Sequence, residues 1–109
     1  MPYDEALADR IRDALAARDD VTERKMFGGL AFMVGGNMCC GVIGAEAMLR
    51  LGEDGADAAL DEPHTRPMDF TGRPMKGMVY VAAPGVEDDN AVQRWVERAV
   101  GFAGALPPK

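Results

Sequence analysis

Cys39 and Cys40 have the widest chemical range of any side chains in this sequence, because paired thiols can ligate soft metals, form disulfides or act as nucleophiles. Their spacing argues against convergence. Neighbouring side chains of a regular strand point to opposite faces, so adjacent cysteines would not reach one metal ion. Adjacent Cα atoms lie about 3.8 Å apart across a trans peptide, short of the ~4.4 Å lower end of ordinary disulfide geometry. There is no CxxC spacing and no second cysteine cluster. Both thiols are therefore expected as reduced strand residues, at least one of them buried as a small hydrophobe. A thiol-based enzyme or redox protein using Cys39 or Cys40 is the alternative. It would have to recruit His64, the only histidine, which sits in the loop-like Pro63-His64-Thr65. Serine is absent from the chain, which excludes serine-nucleophile hydrolysis.

Other groups with chemical potential are less specific. Gly28-Gly29 and Gly35-Gly36 belong to neither a GxxxxGK[ST] nor a GxGxxG pattern and read as backbone devices. The eight methionines suggest core filling first, then a plastic docking groove, then soft-metal binding. Arg24, Lys25, Arg66, Arg73 and Lys76 are candidates for an electropositive face that would hold an anion, a nucleic-acid phosphate or an acidic partner, the Arg66-Lys76 hairpin being the part that would make a weak nucleic-acid-binding or anion-binding domain. The competing reading is a set of solvated cations pairing with the acidic stretch 53–62. Carboxylate pairs such as Asp19-Asp20 and Asp88-Asp89 fall at element boundaries, where acids cap helices and solvate loops. No cofactor and no metal site is expected from these residues.

These side chains must be positioned by a small set of elements. Tyr3, Leu7, Ile11, Ala14 and Leu15 make one helical stripe over residues 3–18, with Asp4 and Glu5 in the first turn. Between Val21 and Leu51 the pattern changes to short β-favouring runs: 22–27, 30–34, 38–43 and 47–51. Gly28-Gly29 is read as a bulge within one long strand, giving three strands, while Gly35-Gly36-Asn37 and Gly44-Ala45-Glu46 are read as reversals. Residues 53–61 suggest a short helix, residues 66–70 and 75–83 two strands joined by Thr71-Gly72, and Asp88 or Asp89 the cap of a last helix carrying Val92, Trp95, Val96, Ala99, Phe102 and Leu106. The run Met78 to Ala82 is apolar on both faces, which places it centrally. One domain over residues 1–109 follows, with no repeat or linker.

Composition bounds the function. A chain of 109 residues with 48% apolar and 28% charged residues folds as an ordinary soluble domain with one core. No run approaches a membrane span, and the N-terminus lacks a signal-peptide pattern, so a cytoplasmic location is expected. The net charge of −6 disfavours direct nucleic-acid binding, which depends on Lys and Arg neutralising phosphates.

Two stretches carry a family resemblance: Arg24-Lys25-Met26-Phe27-Gly28-Gly29-Leu30-Ala31-Phe32-Met33 leading into Asn37 to Val42, and Arg66-Pro67-Met68-Asp69-Phe70-Thr71-Gly72-Arg73-Pro74-Met75-Lys76-Gly77 before Met78 to Val81. The chain resembles the N-terminal domain of the TfoX/Sxy family, whose better-known members regulate bacterial competence genes. The resemblance implies an α+β fold, a two-layer helix-β3-helix-β2-helix domain with an antiparallel sheet. It also implies a non-enzymatic regulatory module that binds a protein partner and influences transcription through it. The competence regulators pair this domain with a C-terminal helical domain of helix-hairpin-helix type, a segment not found before Lys109.

A two-layer domain covers one sheet face with helices. Here Leu30, Phe32 and Val34 should point one way and Ala31 and Met33 the other, so both faces are apolar where a solvated face would be polar. Such a face predicts a partner or a homodimer, with Met33, Met78 and Tyr80 as contributors.

Overall fold

The computed structural model describes residues 3–26, 28–70 and 73–108, with the side chains of residues 69, 70 and 73–75 left aside. The order is α1 (Glu5–Ala14), β1 (Val21–Met26), β2 (Gly29–Val34), β3 (Asn37–Ile43), β4 (Glu46–Arg50), α2 (Gly52–Ala59), β5 (Thr65–Phe70), β6 (Arg73–Val81), a 3-10 turn (Ala83–Val86) and α3 (Asp89–Ala103). Three helices accompany one six-stranded antiparallel sheet in the order β1-β2-β3-β4-β6-β5.

The α+β class holds, but four strands precede α2 rather than the three expected. The difference lies at Gly28, which has φ 76°, while Met26 pairs with Gly29 and the two runs return antiparallel. The chain therefore reverses here in a tight hairpin, and a bulge in one long strand is ruled out. Positive φ is what such a turn demands of its second central residue and what glycine supplies without a steric cost. The other two reversals are as expected: Gly35 and Gly36 have φ 59° and 83° between the paired Val34 and Asn37, and Gly44 has φ 55° between Ile43 and Glu46. The predicted Thr71-Gly72 turn lies outside the described residues.

Helix α1 begins where Asp4 accepts a 3.1 Å hydrogen bond from the Leu7 amide, and α3 where Asp88 accepts one of 2.7 Å from Ala91. Tyr3 precedes α1 and forms a parallel bridge to Gly44 instead of continuing the helical stripe. Leu7, Ala8 and Ile11 of α1, Ala56 and Ala59 of α2, and Val92, Trp95, Val96, Ala99 and Ala103 of α3 are buried in one core. They pack on Leu30, Phe32, Val34, Val42, Ala47, Leu49, Val79 and Val81 of the sheet. Helix α3 ends at Ala103, so Leu106 lies beyond it, and Phe102 sits off the buried stripe.

A second, smaller cluster, Met48, Met68, Met78 and Tyr80, contains no helical residue. All three helices thus cover one face of the sheet, and the opposite face organises its own side chains. Strand β6 lies inside the sheet between β4 and β5, as its two-sided apolar pattern requires.

Candidate functional site

The expectation that strand alternation separates Cys39 from Cys40 fails for a local reason. Phe32 pairs with Cys40 but Met33 pairs with Met38, so Cys39 is one extra residue in β3, a β-bulge. The bulge interrupts alternation, and both cysteines enter the helix-side core. Both are free and fully buried. Hydrogen bonding to the adjacent Cys40 thiol, followed by the Arg18 charge, holds the Cys39 thiol below the ordinary thiol range, while the same interaction and burial push Cys40 well above it. His64 stands elsewhere, exposed in a loop at φ 68°, with its carbonyl accepting from the Ala82 amide at 2.8 Å. Among the described residues no group of three or more His, Cys, Asp or Glu side chains could hold a metal ion.

The helix-free face is built from cross-strand rows. One runs through the pairs Arg24 and Ala31, Ala31 and Gly41, Gly41 and Met48, Met48 and Tyr80, and Tyr80 and Arg66, touching all six strands. Its small members form a trough: a Cβ built on Gly41 would stand 2.5 Å from Met48 Cε and 2.4 Å from the Leu30 carbonyl oxygen. Met48 lies in that trough and is fully buried although no helix covers it. At the end of the row Arg66 caps Tyr80, its guanidinium 4.3 Å from the ring centroid, and makes two 2.7 Å hydrogen bonds to Glu46.

These positions revise the proposed electropositive cluster. Arg24 and Arg66 occupy the same face but opposite edge strands, about 24 Å apart at ordinary strand spacing. Lys25 pairs with the core residue Leu30 and so belongs to the helix side, away from Arg24. Arg66 is neutralised by Glu46, not by the acidic stretch 53–62. The Arg73 side chain lies outside those described. Lys76 is exposed and has no partner among the described residues.

What the sequence reading missed is Arg50. It follows Glu46 and Met48 on the helix-free side of β4 and pairs with Met78 of β6. With Lys76, Met38 and Met78 it lines a groove of 360 Å3. A second hollow of 420 Å3 adjoins at Arg50 and Lys76 and extends to Gly52, Glu53 and Phe102. Arg50 donates to the Met38 carbonyl at 3.4 Å and lies 5.4 Å from the Phe102 ring centroid. The signal was legible: Arg50 alternates with the core residues Leu49 and Leu51, so its side chain must leave the core side.

Met26, Met33 and Met38 are half-buried, Met48 and Met68 fully buried, and Met78 and Tyr80 each 7% exposed. All six described methionines therefore belong to the helix-free side of the sheet. Of the three residues expected at an interface, Met33 retains a free surface, whereas Met78 and Tyr80 pack mainly within the chain.

Residues 13–103 match the family model described as the TfoX N-terminal domain. The chain belongs to the TfoX N-terminal domain family. The matched span runs from within α1 to the end of α3 and includes every strand, so the sheet and its groove lie wholly inside the TfoX N-terminal domain. No curated protein and no solved structure gives a significant match.

Proposed function

We propose that this TfoX N-terminal domain is a small non-enzymatic regulatory module that works by binding a protein partner and influences transcription through it. The observation that carries the reading is the one-sided helix layer, which leaves a methionine-rich sheet face with a cation-rimmed groove. Flexible thioether side chains adapt to irregular surfaces and recur at binding faces. The thiol alternative has less support, because a reactive cysteine needs exposure as well as a lowered pKa, and both sulfurs are buried. Direct nucleic-acid binding is opposed by the net charge of −6. No described helix is long and apolar enough to cross a membrane.

Site-specific photo-crosslinking tests the reading. A photoreactive residue in place of Met33, on the open sheet face, should yield a discrete protein adduct in the source cells that excess unlabelled chain competes away. The same residue in place of Asp57, exposed on α2, should not. Equal labelling from both positions, or none from Met33, would refute the proposal.

A further inference from the structure

We infer that the groove between Met38 and Met78 takes an acidic, apolar peptide segment of a partner protein, one apolar side chain entering between the methionines and a neighbouring carboxylate reaching Arg50 and Lys76. This rests on the interaction role proposed above and specifies the chemistry of the partner. The groove holds 360 Å3, enough for one or two aliphatic or aromatic side chains, and its methionine walls adapt to either.

Charge sets the rest of the specification. The chain has 18 acids against 12 Lys and Arg, so its cations have an ample choice of intramolecular partners. Arg10, Arg12, Arg18, Arg66 and Arg98 all use that choice. Arg24, Lys25, Arg50, Lys76 and Arg94 have no described carboxylate within 4.0 Å, and of these Arg50 and Lys76 are the two that line the groove, although Glu53 and Asp54 line the adjoining hollow. The only described carboxylate on the helix-free face is Glu46, already held by Arg66. An acidic molecule thus presents a locally cationic face around an apolar slot, which complements an acidic, apolar segment. A second copy docked isologously would set one cationic face against another. A phosphate backbone would meet long-range repulsion, and the methionine floor would give it nothing to bind.

The test uses the full chain and a short fluorescein-labelled synthetic peptide of Leu, Phe, Asp and Glu, followed by fluorescence anisotropy at low salt. Saturable binding is expected, weakened about tenfold or more when Gln and Asn replace the acids. Lys76→Glu should weaken it by about tenfold, since an attraction becomes a repulsion. Lys25→Glu, the same charge change on the opposite side of the sheet, should change it by less than about twofold because solvent and salt screen it. Circular dichroism with thermal melting confirms that both variants fold.

Absence of saturable peptide binding, or equal effects of the two variants, would overturn the inference. So would tighter binding of a short DNA duplex than of the peptide, or a dimer by light scattering that Lys76→Glu dissociates. If the crosslink from position 33 persists while the acidic peptide fails to bind, the partner chemistry is wrong and the interaction role stands. If both are absent, both fall.

Discussion

Replacing Met48 by alanine asks whether the helix-free face has a real core of its own. Met48 is fully buried, lying over Gly41 and beside Tyr80, with Met68 and Met78 in the same cluster. The change removes Cγ, Sδ and Cε. At about 0.8 kcal/mol per buried group, the transfer cost is about 2.4 kcal/mol. Gly41 has no side chain to relax into the gap, so a residual cavity of roughly 40 Å3 adds about 1 kcal/mol. The total of about 3.5 kcal/mol is a large part of the 5–15 kcal/mol typical of a domain and corresponds to a fall in Tm of roughly 15–25 °C. Met48→Leu, nearly volume-conserving, should cost less than about 1.5 kcal/mol. Met33→Ala, at a half-buried position outside the cluster, should cost less than about 1 kcal/mol. Urea unfolding followed by tryptophan fluorescence measures all three, Trp95 being the only tryptophan. A loss below about 1 kcal/mol for Met48→Ala would show that the second cluster is solvated surface and refute the two-core description.

Three further outcomes follow from the same geometry. Gly41→Ala should destabilise by about 2 kcal/mol or more, because its Cβ meets the Leu30 carbonyl oxygen at 2.4 Å, and adding Met48→Ala should not restore stability, since the backbone clash persists; chemical denaturation of the single and double variants checks this. Cys40→Ser should cost about 1–3 kcal/mol by burying a hydroxyl in place of a thiol, and alkylation of the native protein should be slow and track unfolding; melting curves and timed mass spectrometry read the two effects. Glu23 is held below its ordinary value of 4.5 first by the hydrogen bonds from Arg12, at 2.5 and 2.7 Å, and then by the Arg12 charge. The stability this pair contributes is present above pH 4.5 and lost as pH falls through the depressed value. For this partly exposed pair it amounts to about 1 kcal/mol at most. Glu23→Gln should remove that acid-side loss in melting temperatures compared between neutral pH and the acid limb, and an unchanged acid profile would exclude the pair as its cause.

Most elements were legible because their signals are local. The α1 stripe from Leu7 to Ile11, the Asp88 cap and the Gly35-Gly36 turn each depend on residues a few positions apart and stand where those residues put them, although α1 spans only Glu5–Ala14 of the expected 3–18. Two of the departures share a cause. Whether Gly28 bends one strand or reverses the chain, and whether Cys39 and Cys40 face apart or together, is decided by register against another strand. A single chain segment does not encode that pairing in its own periodicity. The separation of Arg24 from Arg66 was illegible for the same reason: both are exposed cations, but only the strand order β1-β2-β3-β4-β6-β5 puts them at opposite edges. Arg50 could have been found, since alternation from Leu49 and Leu51 already turned it to the side of Met48; its meeting with Lys76 required the pairing of β4 with β6.

That pairing also explains how one face can be both firm and adaptable. Gly41 and Ala31 are small enough for Met48 to lie flat, which fixes the centre of the face without an overlying helix. Toward the next row Arg50 leans on the Phe102 ring of α3 while reaching the Met38 carbonyl, so the helix layer indirectly props one wall of the groove. The surroundings of that anchored wall are looser: Met33 and Met38 are half-buried, and Lys76 has no described partner. Binding that reorganised Met48 would have to oppose several kcal/mol of packing, whereas rotamer changes at Met38 or Lys76 cost much less. On the proposed reading, adaptation to a partner would be confined to the groove rim, and the strand register that defines the groove would not need to change on its occupation.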